Sequence, residues 1–469
     1  MARRSTSTSA FGVSKRESHD ASGFYSRFAP PDLSEESEVA DHRAIDELFA
    51  GDARRMDEVP DSSVALVVTS PPYFAGKSYE EALGEDGVPA TYLEYLELLR
   101  QVFARCVQKL EPGGRIAVNV ANLGRRPYRS LSADVIAILQ DDLRLLLRGE
   151  IIWVKQRGSS GSCAWGSFQR PANPVLRDLT ERVIVASKGR FDRAVSAKER
   201  FARRLPSEVS MTRDDFMEDT LDVWEIPAES ATRVGHPAPF PVELPARLID
   251  LYTYRGDLVL DPFVGSGTTA VAAIRTGRHY AGYDVDQTYI SLAEKRIDAE
   301  REALARETAT PRLPLAVGAA PAGDGERRLL RALKDGLAAK DVARLAVELA
   351  GFTDVRAGRR QAGGLSVDFT GCDAKGKLWC FDVAGSFTTY RGGLRRADTL
   401  WKALAKAAVL REAGGGPLVL LTTGVPANGA GADALKQMVG PARPIHAVID
   451  MLETTDRERL RSLCGGNGT

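Results

Sequence analysis

The chain has 469 residues, of which 43% are hydrophobic and 27% charged, and its formal net charge is zero. This length predicts two domains rather than one core. The neutral balance excludes a protein-wide basic field for nucleic acid, so any such surface must be local. No apolar run approaches the ~18 residues of a membrane helix, and no apolar stretch follows the first arginines as in a signal peptide. The five cysteines lack a metal-ligand spacing, which predicts reduced thiols and a cytoplasmic location.

The chain is predicted to begin with a disordered tail and to continue with an α/β domain. Residues 1–40 are rich in Ser, Thr, Arg and Glu and lack apolar periodicity. Between residues 41 and 305, short apolar runs alternate with segments of helical periodicity, which predicts a sheet with helices on its faces. The predicted strands cover 64–68, 115–120, 151–154, 182–185, 258–260 and 279–285, and the predicted helices cover 92–110, 269–276 and 287–301.

Two further segments divide the chain. Residues 189–220 are polar and carry a basic cluster at 190–204, which predicts either a solvated surface excursion or an insert that recognises the DNA target. Residues 306–325 are rich in Ala, Pro and Gly and are typical of a linker. A separate, smaller α/β domain is predicted for residues 326–469.

The strand predicted at 64–68 leads into the turn Ser70-Pro71-Pro72-Tyr73. The two prolines restrict the backbone of this turn and remove competing N–H donors. The Ser70 hydroxyl oxygen and the Pro71 carbonyl can therefore accept hydrogen bonds from a ligand. The alternative is a turn that only closes a buried strand, with Tyr73 as ordinary surface filling.

A second motif follows a strand about two hundred residues later in the chain. A strand, a glycine-rich turn and a helix together place backbone amides close to a ligand. Asp261 stands at the tip of the strand, where α/β sheets bind ligands. Asp284 comes one strand later, where an acid can accept hydrogen bonds from the two hydroxyls of a ribose. The nicotinamide fingerprint Gly-x-Gly-x-x-Gly is absent, because Gly267 is followed by Thr, Thr and Ala. Phe263 can be an aromatic wall or a plain core residue.

Together, and in this order, the two motifs resemble the halves of a β-class amino-group DNA methyltransferase. The resemblance covers residues 45–300 and includes the segments 51–53, 152–155, 180–181, 222–224, 236–241 and 277–284. It implies a class I (Rossmann-like) fold, S-adenosyl-L-methionine as the methyl donor and DNA as the substrate. The cofactor residues that it implies are Phe240 and Pro241 at the methionine end, Asp261, Phe263, Gly265, Ser266, Gly267 and Thr268 around the cofactor, and Asp284 at the ribose.

The residue before Pro-Pro-Tyr bears on the target base. In this family Asp or Asn commonly precedes Pro-Pro-Tyr in adenine-N6 enzymes, whereas Ser, present here as Ser70, is similar to the cytosine-N4 enzymes. The resemblance therefore implies a site-specific enzyme that methylates cytosine N4, with Ser70, Pro71, Pro72 and Tyr73 as the catalytic turn and Tyr73 stacked on an extruded base. The alternatives are an adenine-N6 enzyme and, in another class, a non-catalytic DNA-binding defence or regulatory protein. A restriction–modification or defence context, with partner proteins, is expected.

The C-terminal domain shows a weaker resemblance to the core of the Asp/Glu-x-Lys restriction-nuclease fold. Glu348, Asp368 and Asp382 take the places of its acids, and Asp368 and Asp382 are candidate ligands of a divalent cation. Ala384 stands where the lysine of that fold belongs, so a degenerate DNA-binding or regulatory domain is expected ahead of an active nuclease or an unrelated fold. Lysines that could replace the missing one in space are Lys375, Lys402 and Lys406, and basic residues that could touch phosphates are Arg391, Arg395, Arg396 and Lys402.

Overall fold

A computed structural model describes most of the chain. The described residues are 31–40, 45–74, 91–122, 128–155, 171–174, 176, 178–211, 213–228, 240–308, 328–329, 339–358, 364–385, 393–426 and 429–465. Most of the predicted tail and of the predicted linker lies outside these ranges. The chain divides into two compact units: the first comprises residues 1–205, 257–265 and 280–290, and the second comprises residues 206–256, 266–279 and 291–469. A search of the described helices finds none with the length and apolar character needed to cross a membrane.

The helices and strands follow the predicted alternation. The strands are β1 (Asp46–Ala50), β2 (Val64–Thr69), β3 (Leu110–Val120), β4 (Leu146–Val154), β5 (Thr180–Ser187), β6 (Val223–Glu225), β7 (Leu258–Asp261), β8 (His279–Asp284), β9 (Thr353–Ala357), β10 (Phe369–Cys372), β11 (Leu378–Val383), β12 (Leu418–Thr422) and β13 (Ala447–Asp450). The helices are α1 (Tyr92–Lys109), α2 (Leu131–Ala137), α3 (Ala197–Ala202), α4 (Arg213–Asp219), α5 (Glu243–Tyr252), α6 (Thr268–Thr276), α7 (Gln287–Thr308), α8 (Ala339–Leu349), α9 (Ala397–Glu412), α10 (Gly429–Met438) and α11 (Thr454–Leu463).

The first unit is built on a mixed sheet whose strands run in the order β1-β8-β7-β2-β3-β5-β4. Strand β1 pairs in parallel with β8, and β2 pairs in parallel with both β7 and β3. Strand β5 is antiparallel to β3 and to β4. Because β7 lies beside β2 and runs in the same direction, the two sequence motifs leave the sheet at the same edge. Ligand sites of open α/β sheets form at such carboxyl-terminal edges.

Helix α1 packs an apolar side into the core of the first unit. Its first turn is closed by a capping box, in which the Thr91 hydroxyl accepts from the Glu94 N–H and the Glu94 carboxylate accepts from the Thr91 N–H. On its inner side Leu99 and Phe103 are fully buried, and every residue of β2 is buried as well. These contacts explain why the predicted helix forms at this place.

From the sequence, Glu111-Pro112-Gly113-Gly114 predicts a turn between the helix at 92–110 and the strand at 115–120, and the structure differs from this prediction. Residues 110–114 belong to β3, whose pairing with β2 contains an irregularity between Val64 and Leu66. Gly113 has a φ of +80°, which residues other than glycine rarely adopt. The Pro-Gly-Gly signal therefore marks a bulge within the strand rather than a turn before it.

A buried ion cluster joins the basic segment 190–204 to the core of the first unit. The cluster contains Arg193, Arg200, Glu111 and Asp257. Arg200 donates to Asp257 over 2.7 Å, and Arg193 donates to the other oxygen of Asp257 over 2.7 Å. Both arginines also pair with Glu111. The side chains of Arg200, Glu111 and Asp257 are 1–2% exposed, so these two arginines face the core and not DNA.

The rest of the predicted insert keeps both of its interpretations open. Lys198, Arg203 and Arg204 are exposed and remain available to contact phosphates. In the second unit, α4 and α5 are held together by Arg247, whose guanidinium donates to Asp219 over 3.0 Å and lies 5.5 Å from the centroid of the Trp224 ring. Burial raises the pKa of Asp219 to about 7. These contacts show that ordered ion pairs, and not only solvated charges, organise the polar segment.

The C-terminal part of the second unit forms a smaller five-stranded sheet in the order β13-β12-β11-β10-β9. Strands β9, β10 and β11 are antiparallel neighbours, and β11, β12 and β13 are parallel neighbours. Alternate residues of β11 and β12 enter two separate apolar cores, one with α8 and α11 and the other with α9 and α10. Both faces of the sheet are thus covered, and a second, smaller α/β sheet is present as expected, whereas a separate domain at residues 326–469 stays a prediction.

We predict that the buried ion cluster is needed for the stability of the first unit. Arg200→Ala leaves Glu111 and Asp257 buried with one guanidinium fewer, and the free energy of unfolding should fall by about 3–5 kcal/mol. Urea-induced unfolding measures this change. Lys198→Ala, on the same helix but exposed, is the matched control and should shift stability by no more than about 0.5 kcal/mol. Equal unfolding midpoints for the two variants would contradict the prediction.

Candidate active site at the ends of strands β2, β3 and β7

The Ser-Pro-Pro-Tyr turn follows β2 directly and is held from behind by aromatic residues. The Tyr95 hydroxyl donates to the Pro72 carbonyl over 2.5 Å. The next residue, Phe74, has a φ of +52°, a strained conformation for an aromatic residue. Its ring stacks on the Tyr95 ring with centroids 5.4 Å apart. Within the described ranges no donor reaches the Pro71 carbonyl, so the turn is rigid and keeps one acceptor free.

A buried hydrogen bond connects this turn to the second motif. The Thr69 hydroxyl donates to Asp261 Oδ1 over 2.7 Å, and the Phe263 N–H donates to the same oxygen over 3.1 Å. Thr69 and Asp261 are 0% and 2% exposed, so water does not compete for this bond. Asp261, predicted to contact a cofactor, therefore also joins the ends of β2 and β7.

The Tyr73 hydroxyl lies in a network that the sequence did not reveal. It is 2.8 Å from Ser70 Oγ and donates to Glu181 Oε2 over 3.0 Å. Asn119 Nδ2 donates to the same carboxylate oxygen over 2.6 Å, and Lys155 Nζ donates to the other oxygen over 3.1 Å. Lys155 and Glu181 fall in segments that carried the family resemblance, whereas no motif pointed to Asn119.

The position of Tyr73 bears on its predicted role. The residue is only 7% exposed and its hydroxyl points into the network. The arrangement anchors the ring beside Ser70. Stacking of the ring on an extruded base stays a prediction.

At the end of β8, Asp284 is bound to the glycine-rich loop of the first unit. Asp284 Oδ2 accepts from the Gly265 N–H, and Oδ1 accepts from the Asp286 N–H, each over 3.0 Å. Burial raises the pKa of the Asp284 carboxyl. Gly265 has a φ of +47°, which favours glycine at this position. Asp261, Phe263, Gly265 and Asp284 thus lie at one edge of the sheet, as predicted.

The predicted cofactor residues of the second unit have partners of their own. Arg296 donates to the Ser266 carbonyl over 2.7 Å, to the Ser266 hydroxyl over 2.8 Å and to the Thr268 hydroxyl over 3.2 Å. A Cβ at Gly267 would stand 2.8 Å from the Ala293 side chain. Arg296 and the close approach of α7 therefore fix this part of the loop, a role that sequence reasoning missed.

The segment that precedes α5 is described only in part. Phe240 is half-buried and Pro241 is buried. The Pro241 carbonyl accepts from the Leu244 N–H over 3.0 Å. Residues 236–239, which carried part of the resemblance, lie outside the described residues.

The C-terminal acids occupy neighbouring strand ends, and each has a lysine partner. Asp368 precedes β10 and accepts from the Val383 N–H over 2.9 Å, and the Asp368 N–H donates to Asp382 over 3.3 Å. Lys406 lies 2.6 Å from Asp382, and Lys340 lies 2.7 Å from Asp368. Burial raises the pKa of Asp382 to about 6. Of the three lysines named from the sequence, Lys406 is the one that reaches an acid, and Lys340, which sequence reasoning missed, reaches the other.

The other predicted residues of the C-terminal site are placed differently. Glu348 pairs with Arg344 at the surface over 2.9 Å. Lys375 and Lys402 are exposed, whereas Arg396 pairs with Glu218 over 2.6 Å. Arg391 lies outside the described residues. Across the part of the chain that the structure describes, no group of three or more His, Cys, Asp or Glu side chains is arranged to hold a metal ion.

Comparison with known proteins places this geometry in a family. The N6_N4_Mtase family model, described as DNA methylase, matches residues 64–295. The Type II methyltransferase M.MthZI of Methanothermobacter thermautotrophicus is 31% identical over 267 residues, which cover 52% of this chain and 74% of that protein. The Type II methyltransferase M.MjaI of Methanocaldococcus jannaschii is 29% identical over 290 residues, which cover 54% of this chain and 92% of that protein.

A solved structure is also similar to this chain. TTHA0409 of Thermus thermophilus, assigned as a DNA modification methylase and solved in complex with S-adenosyl-L-methionine, is 30% identical with a TM-score of 0.41. The similarity covers 55% of this chain and 94% of that one. The span matched by the family model ends before the C-terminal domain. The α/β sheet expected from the resemblance is seen in the strand order, and with 31% identity over 74% of M.MthZI the chain belongs to the DNA methylase family.

Proposed function

We propose that this protein is a site-specific DNA methyltransferase that transfers a methyl group from S-adenosyl-L-methionine to the N4 amine of cytosine. The observation that carries the proposal is the position of Ser70. Its hydroxyl oxygen lies 2.8 Å from the Tyr73 hydroxyl, and the residue before it is bound to Asp261 of the second motif. The two motifs therefore meet at one edge of the sheet, as an acceptor turn beside a methyl-donor loop.

The residues near β7 and β8 fit the cofactor. Each oxygen of Asp284 accepts one backbone N–H and keeps lone pairs for the two hydroxyls of a ribose. Phe263 offers an aromatic wall, and Gly265 leaves the loop without a side chain at its turn. Ser266, Gly267 and Thr268 are proposed to continue the loop, with Phe240 and Pro241 at the methionine end. The cofactor supplies an electrophilic methyl group on a sulfonium.

To catalyse the transfer, the protein must direct the lone pair of an unreactive amine at the methyl group. An aromatic amine delocalises its lone pair into the ring, and hydrogen bonds accepted from its two protons favour a pyramidal nitrogen. Ser70 Oγ and the Pro71 carbonyl are the proposed acceptors. Acceptors that are already in position stabilise the charge that develops in the transition state, and alignment of the two reactants supplies the rest of the rate enhancement. The C–S bond to the methyl group breaks as the N–C bond forms, the sulfonium becomes a neutral thioether, and the proton that the amine loses passes to water.

Cytosine N4 is proposed ahead of adenine N6 because serine, and not aspartate or asparagine, precedes Pro-Pro-Tyr. The names of the two Type II relatives do not state a base. Adenine-N6 transfer is the alternative, and it uses the same acceptors and the same donor loop. A restriction–modification or defence setting is proposed on the strength of these relatives.

Nucleoside analysis tests the reaction. DNA from a methylation-free host that expresses the protein should contain N4-methylcytosine, identified by mass spectrometry after digestion. Ser70→Ala should lower the methylation rate about 10²- to 10³-fold, as expected for loss of one transition-state hydrogen bond, and should leave cofactor affinity nearly unchanged. N6-methyladenine in place of N4-methylcytosine would overturn the choice of base. A wild-type rate in Ser70→Ala would overturn the proposed mechanism.

The ribose role of Asp284 is tested by cofactor binding. Asp284→Ala should weaken the affinity for S-adenosyl-L-methionine about ten- to hundred-fold, which corresponds to about 1.5–3 kcal/mol for a hydrogen bond to a charged group. Calorimetry measures the affinity, and Asp286→Ala is the control for a neighbouring carboxylate. Because burial raises the pKa of Asp284, the wild-type affinity should fall as the pH drops through that pKa. Equal affinities in the two variants would rule the role out.

For the C-terminal domain we propose a non-cleaving role in DNA binding or regulation. Both acids are paired with lysines, and Ala384 stands where the restriction-nuclease fold has its lysine. We predict that the protein with Mg²⁺ cuts neither methylated nor unmethylated plasmid, because neither carboxylate is left unpaired to hold the cation. Gel analysis of supercoiled plasmid measures nicking. Mg²⁺-dependent cleavage that is lost in Asp382→Ala would overturn this proposal.

A further inference from the structure

Asn119 is a buried residue beside the Ser70-Pro71-Pro72-Tyr73 turn. The proposed reaction gives it no role so far. It is the penultimate residue of β3, and β3 runs parallel to β2 with Val118 opposite Thr69. Asn119 therefore lies beside the point where the catalytic turn begins. It is only 2% exposed.

The hydrogen bonds of Asn119 determine which way its amide points. Its Nδ2 lies 2.6 Å from Glu181 Oε2, 3.1 Å from the Tyr73 hydroxyl and 3.4 Å from Ser70 Oγ. An ionised carboxylate only accepts hydrogen bonds. The NH₂ group must therefore face Glu181, because the reversed amide would bring two oxygens together. The second carboxylate oxygen is taken by Lys155.

This orientation leaves the amide oxygen of Asn119 without a donor. Asn119 Oδ1 is buried and has no hydrogen-bond partner among the residues that the structure describes. Buried polar atoms are nearly always paired, and a buried atom that is not paired calls for a ligand or another explanation. The orphan oxygen belongs to a side chain whose nitrogen lies within 3.4 Å of the proposed catalytic hydroxyl.

The same carboxylate also orders the hydroxyl protons of the network. Tyr73 donates to Glu181, so its oxygen is left to accept from Ser70. Ser70 then presents only lone pairs in its other directions. Asn119 Oδ1, Ser70 Oγ and the Pro71 carbonyl are thus acceptors, whereas Tyr73 donates to Glu181 and the Asn119 NH₂ group donates to Glu181 and to the Tyr73 oxygen. A cluster of acceptors is suited to a ligand that brings only N–H donors, such as an amino group.

We propose that Asn119 Oδ1 shares with Ser70 Oγ one of the two N–H bonds of the exocyclic amine of the target base, while the Pro71 carbonyl accepts the other, and that Glu181 positions Asn119 to do so. This proposal rests on the proposed function and deepens it, because it makes Asn119 a specificity-determining residue. A base with a carbonyl in place of the amine, such as uracil or thymine, would set two acceptors against each other. Rejection of keto bases then follows from a repulsive contact as well as from a lost hydrogen bond.

The test measures binding, so that it does not depend on turnover. Duplexes that contain the recognition site carry cytosine, pyrimidin-2-one (which lacks the amine) or uracil at the target position. Their dissociation constants are measured with S-adenosylhomocysteine present. The wild-type protein should bind the cytosine duplex about ten-fold or more tightly than the other two, as for a hydrogen bond made in a buried site. Asn119→Ala should lower these ratios at least about three-fold, with Ser70 Oγ and the Pro71 carbonyl supplying the rest of the preference, and should not change the affinity for S-adenosylhomocysteine.

Two further variants keep the test decisive. Asn122→Ala is the matched control, because both amide atoms of Asn122 are paired with Ser132 over 2.9 Å; it should keep the wild-type ratios. Glu181→Gln keeps the size of the side chain but can donate as well as accept, which frees the Asn119 amide to reverse. Glu181→Gln should fold and should reduce the binding preference for the cytosine duplex. It replaces Asn119→Ala in the test if that variant does not fold.

The outcomes separate this inference from the proposed function. Wild-type protein that leaves no methylated base in DNA would overturn the proposed function. Methylation by the wild type, together with unchanged ratios in Asn119→Ala and Glu181→Gln, would overturn only the acceptor role of Asn119. Lowered ratios in those two variants and retained ratios in Asn122→Ala would establish it.

Discussion

The hydrogen bond from Thr69 to Asp261 is the contact on which the active-site architecture depends. It joins residues 192 positions apart in the chain at the ends of two neighbouring parallel strands. Because both residues are buried, the bond is not exchanged for bonds to water and holds its geometry. Asp261 Oδ1 accepts hydrogen bonds from both the Thr69 hydroxyl and the Phe263 N–H. The same carboxylate therefore fixes the turn after β7 and the start of the turn after β2.

Around this contact, buried charges orient the side chains that surround them, and removal of one partner destabilises the fold because it leaves the other charge buried without compensation. Glu181 gathers donors from Tyr73, Asn119 and Lys155, and so orients three side chains with one carboxylate. A buried ion pair gains little over an apolar replacement, because desolvation offsets the Coulomb attraction. Here the Glu181 carboxylate fixes the orientation of the Tyr73, Asn119 and Lys155 side chains. The cluster of Arg193 and Arg200 acts in the same way on the fold, by tying a polar segment to the sheet.

In the C-terminal part of the chain, Asp368 and Asp382 lie at the ends of neighbouring strands, and Lys340 and Lys406 pair with them from helices α8 and α9. A neutral cluster of this kind holds its elements together and has little attraction for a divalent cation. Arg396, which from the sequence could have touched phosphate, is instead paired with Glu218. The charges of this domain are thus largely used within the protein.

The sequence by itself determined the fold class, the two motifs, their order and the family, because periodicity, turn residues and short spacings are local properties of the chain. For the six strands and three helices that it predicted, it also placed most bounds within a few residues, apart from the Pro-Gly-Gly bulge at the start of β3. Only the tertiary structure decided that β7 lies beside β2, that Arg193 and Arg200 face the core, and that Lys406 reaches Asp382. Asn119, Glu181 and Arg296 acquire their partners through contacts between distant segments. No local pattern encodes such contacts, because they depend on strand order and on which side chains share a buried space.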